Sequence, residues 1–192
     1  MSKKIKKTDD SNFPLKYFAG IGSRSTPQFI LDVMPKITEY LYGKNYILRS
    51  GGADGADSYF EKGVPLNYDK EIFLPWRNFN NNSSPYYIGS DLLDQDNYLL
   101  AESIAKKFHP RWDKLNDTVK KLMTRNVFQI LGPNPNDSEN HSDLVVCYCP
   151  FNQYGKLTGG TSQALRIAEH YNIKVYNLFL KEDLDKILKK VA

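Results

Sequence analysis

Residues 46–57 read Tyr46-Ile47-Leu48-Arg49-Ser50-Gly51-Gly52-Ala53-Asp54-Gly55-Ala56-Asp57. An apolar, strand-like run passes directly into a glycine-rich turn and then into the start of a helix-like run. Glycine lets a backbone approach a ligand closely and take positive φ. Because the first N–H groups of a helix have no intrahelical partner, a turn of this kind attracts phosphate or carboxylate.

Two further glycine turns have the same setting, between a strand-like and a helix-like run. They are Ala19-Gly20-Ile21-Gly22-Ser23-Arg24-Ser25 and Thr158-Gly159-Gly160-Thr161-Ser162. The carboxyl ends of parallel strands meet at one edge of a sheet, so turns that follow such strands can converge there. The sequence therefore predicts a nucleotide-type pocket at that edge.

Strand-like and helix-like segments alternate along the chain, which predicts an α/β fold with a mainly parallel sheet and right-handed crossovers. We expect a Rossmann-like, three-layer domain with about five strands. The predicted strands are residues 16–21, 46–49, 70–74, 142–149 and 174–178. The predicted helices are residues 29–41, 53–62, 94–108, 116–131, 161–171 and 182–191, and we expect Pro35 to bend or locally break the first of them. Residues 78–90 read as a long loop.

Length and composition indicate one soluble globular domain. The chain has 192 residues, of which 41% are hydrophobic and 25% charged, with a formal net charge of +4. That charge permits an anionic ligand without requiring nucleic acid. No apolar run approaches the ~18 residues of a membrane span, and no secretory signal is recognisable. We expect a disordered basic tail over residues 1–12, a single domain over residues 13–192 and a cytoplasmic location.

The chain has two cysteines, Cys147 and Cys149, which lie two residues apart in a predicted strand. Side chains at that spacing face the same side of a strand, which is a poor arrangement for a disulfide between them. We interpret them as buried thiols in a reducing compartment. With three scattered histidines and no other cysteine, the sequence predicts no metal site and no cofactor.

The predicted ligand-binding residues belong mainly to the glycine turns. Backbone N–H groups, the Ser23 hydroxyl and the Arg24 guanidinium could hold a phosphate. Trp76 follows the third strand and could stack on a base, and Arg125 could reach an anionic ligand from a helix. The full predicted set is Gly22, Ser23, Arg24, Ser50, Gly51, Gly52, Ala53, Asp57, Trp76, Arg125, Thr158, Gly159, Gly160, Thr161 and Ser162.

Three acidic residues are candidates for catalysis: Asp54, Asp57 and Glu61. Asp54 and Asp57 lie three residues apart and so share a helix face near its N-terminal end. Either could hydrogen-bond a ribose or stabilise an oxocarbenium-like centre. The competing interpretation is that they cap the helix and favour its dipole. Glu61 lies one turn beyond Asp57.

The Gly22-Ser23-Arg24 turn followed by Ser50-Gly51-Gly52-Ala53-Asp54-Gly55-Ala56-Asp57 resembles the SLOG superfamily, which includes DprA, LOG and YspA-like proteins. The chain is most similar to small bacteriophage-encoded DprA-like proteins. The shared segments are residues 48–53, 70–76, 108–112, 125–127 and 158–161. The resemblance covers about residues 17–178 and implies a Rossmann-like fold that binds nucleotides or nucleotide-derived ligands.

The resemblance leaves the function open between alternatives. Arg166 stands where LOG enzymes have a catalytic glutamate, which disfavours their phosphoribohydrolase reaction. We favour binding of a nucleotide or nucleotide-derived small molecule, for example a phage protein that sequesters a nucleotide immune signal. The first alternative is an enzyme that hydrolyses or transfers an N-glycosidic bond. The second is DprA-like binding of single-stranded DNA, which the modest charge does not favour. The resemblance also implies a homo-oligomer.

Overall fold

The sheet has five strands, all parallel, in the order β3-β2-β1-β4-β5. The computed structural model describes residues 15–157 and 159–191. The strands are β1 (Lys16–Gly22), β2 (Tyr46–Ser50), β3 (Lys70–Ile72), β4 (Leu144–Tyr148) and β5 (Lys174–Asn177). This order is the one found in doubly wound nucleotide-binding folds. The α/β, Rossmann-like prediction is therefore confirmed.

Helices cover both faces of the sheet. They are α1 (Gln28–Leu31), α2 (Met34–Tyr42), α3 (Ala56–Lys62), α4 (Gln95–Phe108), α5 (Asp117–Leu131), α6 (Gly159–His170) and α7 (Lys181–Val191). Helices α1, α2, α3 and α7 share one hydrophobic cluster with the sheet, and α4, α5 and α6 share the other. These two clusters form the layers on either side of the strands.

Strand β4 shows how the sheet is buried on both faces. Val145 and Cys147 belong to the cluster under α4, α5 and α6, whereas Val146 belongs to the cluster on the opposite face. Alternate side chains of a strand point to opposite faces, so an unbroken apolar run is what a doubly covered parallel strand requires. Cys147 and Cys149 are both buried and belong to the same hydrophobic cluster, as the two-residue spacing predicts.

Several element boundaries differ from the sequence-based expectation. The predicted helix over residues 29–41 is broken near Pro35, as expected, into α1 and α2, and Pro35 lies in the first turn of α2, where its missing N–H costs nothing. Helix α3 begins at Ala56 rather than at residue 53, because Gly55 has φ 83° and ψ −126°, which helical backbone excludes. The start of α4 is capped by Asp94, whose side chain accepts a hydrogen bond from the Asn97 N–H.

Two predictions fall outside the described residues. These are the basic tail over residues 1–12 and the contribution of Thr158 to the third glycine turn. Among the residues that are described, no helix is both long enough and apolar enough to cross a bilayer.

Candidate functional site

A cleft of about 430 Å³ lies at the carboxyl ends of β1 and β4. The strand order reverses between these two neighbouring strands. Doubly wound folds bind their ligands at such a reversal. Its lining comes from the ends of β1 and β4, from helix α5 and from the start of α6. The lining residues are Ile21, Gly22, Ser23, Arg24, Ser25, Ala53, Asp57, Leu122, Met123, Arg125, Asn126, Gln129, Cys149, Pro150, Gly159, Gly160, Thr161 and Ala164.

Asp57 joins the first two glycine turns at the base of the cleft. Its Oδ1 accepts the Gly22 N–H at 3.3 Å, and its Oδ2 accepts the Gly51 N–H at 3.2 Å. The same Oδ2 accepts the Ala53 N–H at 3.4 Å. The side chain is only 4% exposed. A buried carboxylate needs such partners, and these hydrogen bonds fix the positions of the two turns relative to each other.

Arg125 of α5 lies against this carboxylate, with Nη1 3.3 Å from Oδ2 of Asp57. The arginine is 6% exposed and lines the cleft. A Cβ atom at position 51 would overlap Nη1 of Arg125, so Gly51 is required for the guanidinium to occupy its place. The second glycine turn therefore admits a buried cation from another helix.

The electrostatics of the pair reflect its burial. Burial raises the pKa of the Asp57 carboxyl, while the Arg125 charge and the N–H groups of Ala53 and Gly22 oppose that rise. Burial lowers the pKa of the Arg125 guanidinium, Asp57 opposes that change, and the positive charge of Arg24 adds to it. Arg24 is exposed at the mouth of the cleft. The cleft lining thus contains two guanidinium groups and a single carboxylate, so its positive charge exceeds its negative charge.

Two buried nitrogen donors, on residues that line the cleft, have no hydrogen-bond partner among the described residues. They are Nε of Arg125 and Nε2 of Gln129. Gln129 is 1% exposed and lies one helical turn after Arg125 on α5, so both side chains belong to the same helix face. An unpaired buried donor costs about 1–3 kcal/mol, so these two nitrogens are suited to an acceptor that enters the cleft.

The start of α6 forms the opposite wall of the cleft. Gly159 has φ 73°, and Gly159, Gly160 and Thr161 all line the cavity. Asn126 of α5 fixes this wall by donating from Nδ2 to the Gly160 carbonyl at 3.2 Å and to Oε1 of Gln163 at 3.1 Å. The first N–H groups of a helix favour an anion, and here they face a wall that contains Arg125.

Several predicted ligand residues do not belong to the cleft lining. Ser50 donates its hydroxyl to the Gly20 carbonyl at 2.8 Å, and Ser162 donates to the Gly159 carbonyl at 2.7 Å. The carbonyl of Gly52 accepts Nδ2 of Asn80 at 3.1 Å. Trp76 packs edge-on against Phe79, with ring centroids 5.1 Å apart. In the structure these residues support the turns and the long loop.

The catalytic candidates do not come together. Asp57 lines the cleft, whereas Asp54 is exposed and Glu61 lies 3.1 Å from Nζ of Lys70. Burial raises the pKa of Glu61, and Lys70 opposes that rise. Neither Asp54 nor Glu61 belongs to the cleft lining. A pair of carboxylates acting on one substrate is therefore not formed by these residues.

The prediction of the site omitted Gln129. The residue four positions after Arg125 on a helix shares its face, so the spacing could have indicated it. Its burial could not be inferred, because glutamine in a helix is usually exposed. Within residues 15–157 and 159–191, no group of three or more histidine, cysteine, aspartate or glutamate side chains could hold a metal ion.

Comparison with known proteins gives one structural similarity. The chain is similar to DNA processing protein A from Helicobacter pylori, a solved structure described for its single-stranded DNA binding mode. The two are 15% identical, the match covers 92% of this chain and 73% of that chain, and the TM-score is 0.48. No protein-family model and no curated protein matches the sequence.

Proposed function

We propose that this protein binds a nucleotide or a nucleotide-derived small molecule in the cleft at the carboxyl ends of β1 and β4. The volume of about 430 Å³ suits a ligand of that size. The lining combines a helix N-terminus, two arginines and an apolar wall that includes Leu122 and Ala164. A phosphate needs the first two features, and a base or ribose can pack on the third.

The observation that carries the proposal is the pair of unpartnered donors, Nε of Arg125 and Nε2 of Gln129. Both side chains are more than nine-tenths buried and both line the cleft. Proteins rarely leave buried donors unpaired, because each is destabilising by about 1–3 kcal/mol. An oxygen-rich ligand supplies the missing acceptors and recovers that free energy on binding.

The charge of the cleft favours an anion. Arg24 and Arg125 are its cationic side chains, and Asp57 is its carboxylate. Asp57 is already satisfied by Arg125 and by the N–H groups of Gly22, Gly51 and Ala53. Arg24 remains exposed at the mouth, where it can pair with a phosphate in a bidentate manner.

Binding without turnover fits the position of Asp57 better than hydrolysis does. A carboxylate that acts as nucleophile or general acid must approach the glycosidic bond with a free oxygen. Both oxygens of Asp57 accept backbone N–H groups, and Oδ2 also contacts Arg125. A protein that retains its nucleotide intact would act as a sensor or as a sequestering protein for a nucleotide signal. N-glycoside cleavage by Asp57 remains the alternative that the experiment must exclude.

The test is incubation of the purified protein with a panel of nucleotides, cyclic nucleotides, NAD and ADP-ribose, followed by removal of free ligand. Bound material is released by denaturation, and both fractions are identified by mass spectrometry. A single-stranded oligonucleotide forms a separate arm, in which affinity is measured at low and high salt. DNA binding through phosphate contacts would fall steeply with salt.

We expect one nucleotide class to be recovered intact from the wild type and to be lost from Arg24→Gln. Arg77→Gln is the matched control, because Arg77 is also exposed but lies outside the cleft lining. Release of a free base or ribose phosphate would identify a glycoside-cleaving enzyme instead. Binding of the oligonucleotide alone, with no small molecule retained, would contradict the proposal.

A further inference from the structure

A second cavity, also of about 430 Å³, lies at the opposite edge of the sheet. We call it the amino-end cavity, since it includes the first residues of four strands: Lys16 of β1, Tyr46 of β2, Leu144 of β4 and Lys174 of β5. Helices α2 and α7 complete its walls. The cleft described above lies at the carboxyl ends of the strands, so the two cavities are separated by the length of the sheet.

The floor of the amino-end cavity is apolar. Ile37 is 1% exposed, Val146 is 0% exposed and Ile187 is 6% exposed, and all three line it. Leu41, Leu144 and Val191 extend this lining. The floor residues are almost fully shielded from solvent, so Leu144 and Val191, which are half-buried, provide the aliphatic surface that the apolar part of a ligand can cover.

The rim of the same cavity is strongly basic. Four lysines line it, Lys16, Lys44, Lys174 and Lys190, against one carboxylate, Asp143. Oδ2 of Asp143 already accepts the Tyr17 N–H at 2.7 Å. No ion pair joins any of these lysines to a carboxylate in the described part of the chain. Among the described residues, the rim therefore combines four ammonium groups with one carboxylate, which is an excess of positive charge.

Three of these lysines, although exposed, place their ammonium groups near aromatic rings. The Nζ atoms of Lys16, Lys44 and Lys174 lie 5.6, 5.9 and 4.9 Å from the ring centroids of Tyr46, Tyr40 and Tyr176. Those tyrosines also line the cavity. Contacts of this kind are worth about 0.5–1 kcal/mol at exposed sites, enough to favour ammonium positions at the rim.

We propose that the amino-end cavity binds an organic anion with an apolar body. The body lies on the half-buried part of the lining, which consists of Leu144, Val191 and the rings of Tyr40, Tyr46 and Tyr176. The carboxylate, sulfonate or phosphate group lies at the lysine rim. Neither part of the cavity selects such a ligand alone, because an apolar floor also accepts neutral compounds and a basic rim also accepts inorganic ions. Their combination selects the amphiphilic anion.

The test uses 8-anilinonaphthalene-1-sulfonate, a fluorescent anion with an aromatic body, as the probe. We expect saturable binding to the folded wild type at one site in the amino-end cavity. N-phenyl-1-naphthylamine, which has a similar body and no charge, should bind at least about tenfold more weakly, a difference that one well-placed ionic contact supplies.

The decisive variant replaces Lys16, Lys44 and Lys174 together by glutamine. All three are exposed, so the fold should persist, and melting curves check this. The matched control replaces Lys62, Lys107 and Lys114, which changes the net charge equally. Lys62 and Lys107 also lie over aromatic rings, those of Tyr59 and Phe108. We expect a loss of sulfonate affinity of about tenfold or more in the first variant and less than about twofold in the control.

Equal affinities in the two triple variants would overturn the proposal, since the probe would then be responding to general positive charge. Loss of the probe in Arg24→Gln would also overturn it, because the binding would belong to the other cavity. A last arm uses sedimentation with phosphatidylglycerol vesicles. Binding to vesicles without binding of the free anion would show that the lysines recognise a lipid surface, which also contradicts the proposal.

Discussion

Asp57 and Arg125 are 68 residues apart in the sequence, yet Oδ2 of one lies 3.3 Å from Nη1 of the other, with both side chains buried under the cleft. The pair connects the glycine turns to helix α5, which carries Arg125 and Gln129 in the cleft lining. The geometry of the proposed binding site therefore depends on an ion pair whose members are far apart in the chain.

Asp57→Asn should destabilise the protein strongly. Removal of one charge from a buried pair leaves the other uncompensated, which costs about 3–5 kcal/mol. Urea denaturation measures the change. Asp54→Asn is the control. Because Asp54 is exposed, its substitution should change the free energy of unfolding by no more than about 0.5 kcal/mol. Similar stabilities for the two variants would show that the pair does not hold the fold.

Two buried glutamines should respond in opposite ways to methionine. Nε2 of Gln129 has no partner among the described residues, so Gln129→Met removes an unpaired donor and should leave the melting temperature equal or higher. Gln163 is fully buried, donates to the Ala105 carbonyl at 3.1 Å and accepts from Asn126 at 3.1 Å. Gln163→Met should therefore lower the free energy of unfolding by about 1–3 kcal/mol. Equal losses in both variants would mean that Gln129 is satisfied in the free protein.

Gly55 should tolerate alanine poorly because of its neighbours. A Cβ there would lie 2.8 Å from Cα and O of Arg24, and the residue has φ 83°. Gly89 has φ 95° with nothing within 4 Å of a Cβ, so it shares the backbone strain without the clash. We expect Gly55→Ala to cost at least about 1 kcal/mol more than Gly89→Ala in chemical denaturation. Equal losses of stability in the two variants would show that the backbone at Arg24 moves aside without a cost in free energy.

His109 should make the protein less stable in mild acid. Its pKa is lowered from the usual 6.5 by burial and by the charges of Arg166 and Arg111, so the folded state favours the neutral ring. The unfolded chain binds the proton more readily, and stability is lost as the pH falls through the usual pKa to the lower folded value.

The measurement is the melting temperature at about pH 7.5 and about pH 5.5, which bracket the ordinary histidine pKa. The wild type should lose more stability across that interval than His109→Gln does. Equal losses of stability in the two proteins would show that the pKa of His109 is not lowered in the folded state.

The sequence predicted the alternation of elements well because glycine and proline mark their ends. The parallel sheet and its ligand edge follow from strand, glycine turn and helix in succession, as residues 46–57 illustrate. The orientation of individual side chains did not follow. Ser50 donates to Gly20 because β2 pairs with β1, and Trp76 packs on Phe79 because the loop folds back. These contacts depend on tertiary packing, which local pattern does not specify.

The pairing of Asp57 with Arg125 could not be predicted from the sequence either. Each residue was singled out separately, but nothing local indicates that α5 brings its guanidinium onto Gly51. The burial of Gln129 has the same cause, since it depends on how α5 lies against the sheet and α6.

The most direct test of the proposed binding site is calorimetric titration of wild type and Gln129→Met with the nucleotide that the panel selects. Nε2 of Gln129 is one of the buried donors that lack a partner among the described residues. We expect Gln129→Met to keep its melting temperature while its affinity falls about tenfold, as loss of one buried hydrogen bond implies. An unchanged dissociation constant in a fully folded variant, or no nucleotide bound by the wild type, would contradict binding in this cleft.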